Sequence, residues 1–549
     1  MINYRTGTLS LIFLLHSFLS MAQIDRGNLL NQEIPLATRS YFTGDQLNLD
    51  ALRKTTSFLT NRDIKTYAGY QIPKRKKAFM RHVKHLSEIL ERHYLEEQKS
   101  TPQVHELVYE LFLLESSLKQ KTLARARTKV SLKEKISLVL DSYRSKRVFQ
   151  YKIPASVEES PEPIPSPYYH PVPANRSPHK QFGYLAKQKK VDAKKNMVVL
   201  FKELSLSGSA PKIGTLDLDL DNEWSLKWGD EVHTDVVGSR IFAALGYDVD
   251  HPYFYARDKL TLVFDEPAEV NNADELIQRL KEIYKVDIRP FISSYGTVSE
   301  DMVKEQKKLK AFVGKAYVRF VKCAIEARPD RVKRIGSFLP HTALNEDRRE
   351  LKASLLAHHF IGNWDTKESN TLLTTVHSGN YNYRISAVFS DLGTSMGVSL
   401  KTLNRDFKVG LVNKLPWEVV KRKGNKLKFT NRINSILPAY KEADYQDLLW
   451  MAEKIAVLDS SMLRKIIDKA QWPDPIAELY FHKMASRRAS ILEAFELEDS
   501  HPISFDKKLN LYELGEQVVK EGKLIKDYQA DRNPESFLKK KGRFRNYGN

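Results

Sequence analysis

The chain has 549 residues, 42% of them hydrophobic, with 88 Lys and Arg against 68 Asp and Glu, a formal charge of +20. At roughly 100–200 residues per domain the length asks for about three to four units, or one large fold with additions, and the apolar content excludes a wholly disordered chain. A single cysteine, Cys323, excludes an intramolecular disulfide framework and every cysteine-rich zinc or iron–sulfur centre.

Met1–Ala22 reads as a secretory signal peptide. Arg5 supplies the positive start, Leu9–Leu19 the apolar run, and Ser20-Met21-Ala22 a small-x-small cleavage site. That run is shorter than the about 18 residues expected of a membrane helix, and no later stretch reaches that length. The expected mature protein, Gln23–Asn549, is therefore exported, either periplasmic or secreted, with no integral membrane segment after cleavage. Cys323 within "FVKCAIEA" reads as a buried thiol.

Residues 23–153 read as a basic helical domain. "HVKHLSEILERHYLEE" sets Val83, Leu86, Leu90 and Tyr94 at helical spacing, and "VHELVYELFLLESSLKQ" repeats the pattern with Val104, Leu107, Val108, Leu111 and Leu118. Ser131 and Glu134 stand at capping-box spacing before another apolar run. From Gln23 to Lys152 there are 25 Lys and Arg against 14 Asp and Glu, or +11, more than half the total charge. Such a surface suits contact with an anionic surface or a partner protein. Residues 154–180 follow as a proline-rich linker, with eight of the 23 prolines between Pro154 and Pro178. That density predicts an extended spacer.

Strand-like pieces come next: "NMVVLFKEL", "KIGTLDLDLD", "EWSLKWG" and "KLTLVF". Between the third and fourth, "DEVHTDVVGSRIFAALGY" predicts an amphipathic helix with Val232, Val236, Ile241 and Leu245 on one side and Gly246 as its C-cap. Beyond Glu300 the sequence predicts a turn to helix, with "LKASLLAHHFIGNW" leading into a polar loop and "YRISAVFSDLG" restoring strand. Helices dominate from Pro416 onward. The fold class predicted is α+β.

The chemistry concentrates in "FIGNWDTKESNTLL" and "AVFSDLGTSMG". Asp365, Lys367 and Asn370 have D-x-K-x-x-N spacing, and Asp391-Leu392-Gly393 begins 21 residues past Asn370 at the end of an apolar strand. Phosphoryl transfer needs such parts: one carboxylate to orient or deprotonate a hydroxyl, and an amide oxygen with a second carboxylate to hold divalent metal. Upstream, Lys227 stands on a strand just before the predicted helix, whose Glu231 and Asp235 share a face. Either acid is a candidate partner for the lysine, Glu231 being slightly favoured. "LSLSGSAPKIG" offers a turn over phosphates through Gly208, Ser209 and Gly214, although it lacks G-x-G-x-x-G.

In order and spacing these residues resemble the protein-kinase-like superfamily, and "GNWD" with "DLG" resembles its atypical branch of toxin-type, secreted Golgi-type and phosphoinositide-type kinases. Together with "YFHKMASRRASILEAFEL" they resemble a family of uncharacterised exported bacterial proteins with such a core, over roughly Gly208 to Leu497. The resemblance implies a two-lobed core: a small lobe over 181–265 and a helical large lobe over 266–549. It implies Asp365 and Lys367 as catalytic residues, Lys227, Glu231, Gly208 and Ser209 as nucleotide-binding residues, and Asn370 and Asp391 as metal ligands. The implied cofactors are ATP or another nucleotide with Mg²⁺ or Mn²⁺, and the implied acceptor is an unidentified protein or small molecule. Three departures stand out: "GNWD" in place of H-R-D, Leu392 in place of Phe, and the incomplete glycine loop.

Other constellations are poorer. His358-His359 lacks the spacing of H-E-x-x-H and reads as packing. Arg487-Arg488 could meet a phosphate but on an amphipathic helix read first as surface or ion-pair residues, and packing explains Trp224, Trp228 and Trp364 at least as well as substrate stacking. The alternative function is a catalytically inert kinase-like scaffold whose basic helical domain binds an anionic envelope surface or a partner protein. A third reading has the polar cluster merely capping and solvating a loop.

Overall fold

The computed structural model describes residues 41–43, 46–60, 66–67, 70–71, 76–95, 104, 107–108, 111, 150–155, 166–169, 195–205, 211–218, 222–228, 231–256, 258–265, 269–284, 287–329, 332–336, 348–367, 370–377, 383–397, 415–430, 433, 438–472 and 474–503. The first described elements are the short hairpin β1 (Phe42–Thr43) and β2 (Gln46–Leu47), then α1 (Leu49–Thr60), the hairpin β3 (Thr66–Tyr67) and β4 (Tyr70–Gln71), and α2 (Lys76–Leu95). Asn48 caps α1 by accepting the Ala51 N–H at 3.0 Å. Helix α2 buries Val83, Leu86 and Leu90 as their spacing predicts, while Tyr94 stays exposed. Val104, Leu107, Val108 and Leu111 are helical. Leu118 and the Ser131/Glu134 pair lie outside the described residues.

The strands predicted after residue 196 form: β6 (Met197–Leu204), β7 (Lys212–Asp217) and β8 (Asn222–Lys227), followed by α3 (Glu231–Ala244). After α3 come β9 (Asp248–Val249), β10 (Pro252–Tyr255), β11 (Leu260–Phe264) and α4 (Ala273–Tyr284). The helix expected beyond Glu300 forms over "LKASLLAHHF", but between Glu300 and Gly336 it is confined to α5 (Glu300–Glu305) and a 3-10 turn over Lys307–Phe312. Strands flank these helices: β12 (Ile292–Thr297) before α5, and β13 (Ala316–Phe320), β14 (Cys323–Pro329) and β15 (Val332–Gly336) after the turn. The lysine-rich run before them has helical composition, but "AYVRF" is a short segment of half-buried and buried residues and "CAIEA" is buried from Cys323 to Glu326, as a strand inside a sheet is.

These strands build an eight-stranded mixed sheet in the order β10-β14-β8-β7-β6-β11-β13-β12. Neighbours are antiparallel except β6 and β11. The sheet therefore runs past residue 265, the expected boundary, to Pro329. One core on the sheet combines Ile213, Leu226 and Leu262 with Leu276 and Leu280 of α4. The fold is α+β, with a large mixed sheet.

Helix α6 (Arg349–Ile361) leads into the polar loop, and β16 (Thr371–His377) and β17 (Tyr383–Phe389) form a hairpin beyond it. A four-stranded sheet has the order β15-β16-β17-β9. β18 (Val420–Lys423) and β19 (Lys426–Phe429) make a second hairpin, to which β5 (Gln150–Lys152) adds antiparallel. The last described elements are α7 (Pro438–Lys441), α8 (Tyr445–Ala456), α9 (Ser460–Asp468) and α10 (Asp474–Phe495). Asp444 and Asp447 form a capping box on α8, and Asp459 caps α9.

Two expectations are corrected. Helix α3 is not amphipathic: every residue from Val232 to Ala244 is buried, because the sheet, α6 and the Asp391 turn surround it. Nor is the proline-rich segment a mere spacer, since Ser166–Tyr169 docks on the helical core. Tyr168 and Tyr169 are buried, with the Tyr169 ring 5.0 Å from Trp450 and 6.1 Å from Tyr247. Ser166 Oγ donates to Glu350 at 2.8 Å, and the Ala387 N–H donates to the Pro167 carbonyl at 2.7 Å. One continuous hydrophobic core runs from Tyr41 through these tyrosines to Phe495. Among the described residues no helix is long and apolar enough to cross a membrane.

Candidate active site

Lys227 is the last residue of β8, and the β8–β14 register sets it opposite Ala324. Its ammonium meets three carboxylates: Glu326 of β14 at 2.8 Å, Asp235 of α3 at 3.3 Å and Asp391 at 3.8 Å. Burial works against the lysine's charge, but Glu326, Asp235 and Asp391 together hold it well above the ordinary lysine range. Asp235 is thus the helix partner, and the slight preference for Glu231 is corrected. One turn into α3, Asp235 lies alongside Lys227, whereas Glu231 in the first turn abuts the Asp391-Leu392-Gly393 turn. A Cβ at Gly393 would sit 2.7 Å from the Glu231 Cβ. Burial, with Asp391 adding to it, pushes the Glu231 carboxyl up to about 8, while Lys227 opposes the shift. Asp235 is pushed up to about 6 by burial, against the pull of Lys227.

The polar loop follows from how α6 ends. Gly362 takes the left-handed conformation, φ 69°, and its N–H returns to the last helical carbonyls. Asn363 then organises the loop: its Oδ1 accepts the Asp365 N–H at 3.2 Å and the Thr394 hydroxyl at 2.7 Å, and its side-chain nitrogen lies 3.1 Å from His358 Nδ1. Lys367 Nζ donates to Asp365 Oδ2 at 2.6 Å. Asn370 Nδ2 donates to the Asp365 carbonyl at 2.8 Å and to Oδ2 at 3.4 Å, and no described residue hydrogen-bonds Asn370 Oδ1.

The β16–β17 ladder explains why Asp391 lies beside this loop despite the intervening sequence. Thr371 pairs with Phe389, and the Ser390 N–H donates to the Asn370 carbonyl at 2.9 Å. Asn370 and Asp391 are therefore brought to one end of the same hairpin. Asp391 itself has φ 54°, a left-handed backbone that Asp tolerates better than most residues. Thr234 of α3 donates to the Gly393 carbonyl at 2.6 Å, fastening helix to turn.

Asp365, Lys367, Asn370, Asp391, Lys227, Asp235 and Glu231 are thus gathered in one region. Asp365 and Asp391 both act electrostatically on Glu231, and Asp365, Asp391 and Glu231 act on Lys367. Gly208 and Ser209 lie outside the described residues. Gly214 is inside β7 rather than in a turn, where a Cβ would come within 2.9 Å of Glu203 Cγ. Sequence reasoning missed Glu326, Asn363 and Thr394. A lone acid among the apolar residues of "CAIEA" was the available signal for Glu326.

Among the described residues no three His, Cys, Asp or Glu side chains form a ready-made metal cage. Mg²⁺ and Mn²⁺ sites that lean on substrate phosphates need only one or two protein oxygens. The Asp391 carboxylate, 44% exposed, and the Asn370 amide oxygen fit that requirement.

The neighbouring histidines serve packing. His358 contacts Phe242 and Phe389, His359 stacks on Phe429 at 4.2 Å, and burial pushes each ring down to about 3. Arg487 and Arg488 are not surface residues. Arg487 donates to the His359 carbonyl at 2.6 Å and the Phe360 carbonyl at 2.9 Å at the end of α6. Arg488 pairs with Asp499 at 2.6 Å. Trp224 and Trp228 are buried, as is Cys323.

No family model and no curated protein matches the chain. Among solved structures the chain is similar to a Helicobacter pylori proinflammatory kinase, CtkA, at 13% identity over 55% of this chain and 96% of that one, with a TM-score of 0.28.

Proposed function

We propose that the chain is a kinase-like phosphotransferase with a two-lobed core, moving the terminal phosphoryl group of ATP or another nucleotide to a hydroxyl acceptor in a metal-dependent reaction. The observation that carries this reading is the convergence of Lys227, paired with Asp235 of the following helix, on Asp391 at 3.8 Å. A strand lysine, a helix acid and a metal-binding carboxylate are the parts that position a nucleotide's phosphates.

In the proposed reaction the acceptor oxygen attacks the terminal phosphorus, the bond to the departing nucleoside diphosphate breaks, and the hydroxyl proton passes to Asp365. Lys367, paired with Asp365 at 2.6 Å, lies where it can face the transferred group. Asp391 and Asn370 are the proposed ligands for Mg²⁺ or Mn²⁺, which when bound supplies charge neutralisation at the phosphate oxygens. Lys227 orients the phosphates while Asp235 and Glu326 fix its side chain. Export, as expected from Met1–Ala22, sets the place of action outside the cytoplasm, where the donor is not expected to be abundant.

Calorimetry and thermal-shift measurements with ATP plus Mg²⁺ or Mn²⁺ test the proposal. Wild type is expected to bind only with metal, and Asp391→Ala to lose about tenfold or more in affinity while keeping its fold. Wild-type protein that gives neither heat nor stabilisation with nucleotide and metal returns the chain to the inert scaffold.

A further inference from the structure

The β5–β19–β18 sheet has two unlike faces. Its inner face is apolar: Tyr151, Val420, Leu427 and Phe429 are buried. It is mounted on the core through the Phe429–His359 stack on α6 and a 2.9 Å bond from the Val419 N–H to Ser490 Oγ of α10. The alternation of strand side chains sends the intervening residues to the other face. These are Lys421, Lys423, Lys426, Lys428 and Lys152, all exposed.

The register makes this arrangement costly for the fold alone. Lys421 is directly opposite Lys428, Lys423 opposite Lys426, and Lys426 opposite Lys152. Like charges facing each other across a ladder are destabilising. Among the described residues only Lys421 of this set has an ion pair, with Glu418 at 2.7 Å. The Arg422 guanidinium belongs to the alternate set and pairs with Glu496 at 2.5 Å.

We propose that this five-lysine face docks on an anionic phospholipid bilayer. Charge complementarity identifies the partner class, and three features favour a bilayer over a nucleic acid. The lysines are point charges without the planar fork that reads individual phosphates or guanine edges. Among the described residues the face carries no aromatic side chain on which a base could stack. It is a short sheet surface with an exposed Lys423-Gly424-Asn425-Lys426 tip, whose lysines can meet several headgroups at once. The inner face ties it to α6, the helix that leads into the Asp365 loop, so docking here sets how that loop is presented to the membrane.

The test is co-sedimentation of the full chain with phosphatidylglycerol–phosphatidylcholine vesicles, taking binding in excess of that to pure phosphatidylcholine. Wild type is expected to show a salt-sensitive excess, and Lys423→Gln/Lys426→Gln/Lys428→Gln to lose about tenfold of it. The triple variant should melt at or above the wild-type temperature, because like-charge repulsion is relieved. A variant that keeps wild-type vesicle binding, or one that melts lower, overturns the proposal. So does wild type that shows no excess, or that binds duplex DNA more tightly than vesicles at equal phosphate. Nucleotide binding by the triple variant, measured alongside, separates this surface from the proposed phosphotransfer site.

Discussion

At the scale of single residues the site is a contest between burial and charge. Lys227 is surrounded by acids whose side chains are nearly inaccessible: Asp235 is 5% exposed and Glu326 2%. Removing one member of such a set leaves a buried charge uncompensated, which costs more than the pair itself contributes. Glu231 shows the other outcome, because among the described residues it has no ion pair and burial pushes its carboxyl up to about 8 from an ordinary 4.5. Between those two values the folded protein holds a proton that the unfolded chain has released. Stability contributed by this group is therefore full below 4.5 and is lost as pH rises towards 8. Glu231→Gln mimics the protonated form, so its melting temperature should exceed wild type by several degrees at pH 8 and match it at pH 5. An equal difference at both pH values would sink this account.

At the scale of elements, the contact between α3 and the Asp391-Leu392-Gly393 turn sets the site. The approach is close because Gly393 has no side chain: a Cβ there would lie 2.7 Å from the Glu231 Cβ and 3.2 Å from its carbonyl oxygen. Gly393→Ala should therefore push the start of α3 away, costing about 1–3 kcal/mol and separating Asp235 from its lysine. Denaturant melts and nucleotide titration read both effects, and a neutral result would mean that the turn yields without moving the helix. The sequence made part of this legible. Lys227 at a strand end, the D-x-K-x-x-N spacing and Asp391 after an apolar strand are local patterns, and local patterns survive without a fold. Glu326 was invisible because its role depends on β14 pairing with β8, a register set by residues almost a hundred positions apart. The lysine-rich run at 304–310 also hid the strands behind it, since its composition suits a helix as well as a loop. Helix α3 was legible as a helix but not as one buried on every side, which only its neighbours decide.

At the scale of the whole molecule, the structure joins what the sequence divided. Proline density predicted a spacer between a basic helical module and the rest, yet the chain on both sides of Pro154 completes the same core. Tyr151 of β5 packs edge-on against Phe429 at 5.7 Å, and Tyr169 against Trp450 at 5.0 Å. Prolines do not prevent this, because Ser166–Tyr169 needs no ladder. Its backbone polar groups are satisfied within the Ser166–Tyr169 turn and by the Ala387 N–H. A fragment beginning at Lys180 loses β5 and exposes the edge of β19, and it empties the sites of Tyr151, Tyr168 and Tyr169. Truncating a buried aromatic costs about 3–5 kcal/mol, and whole domains are stable by only about 5–15 kcal/mol. The fragment 180–549 should therefore be insoluble or melt far below the full chain, and Tyr168→Ala/Tyr169→Ala in the full chain should show a smaller loss of the same sign. Expression, limited proteolysis and thermal melts decide the matter: a soluble 180–549 fragment melting with the full chain would restore the spacer and make the N-terminal helices a separable module.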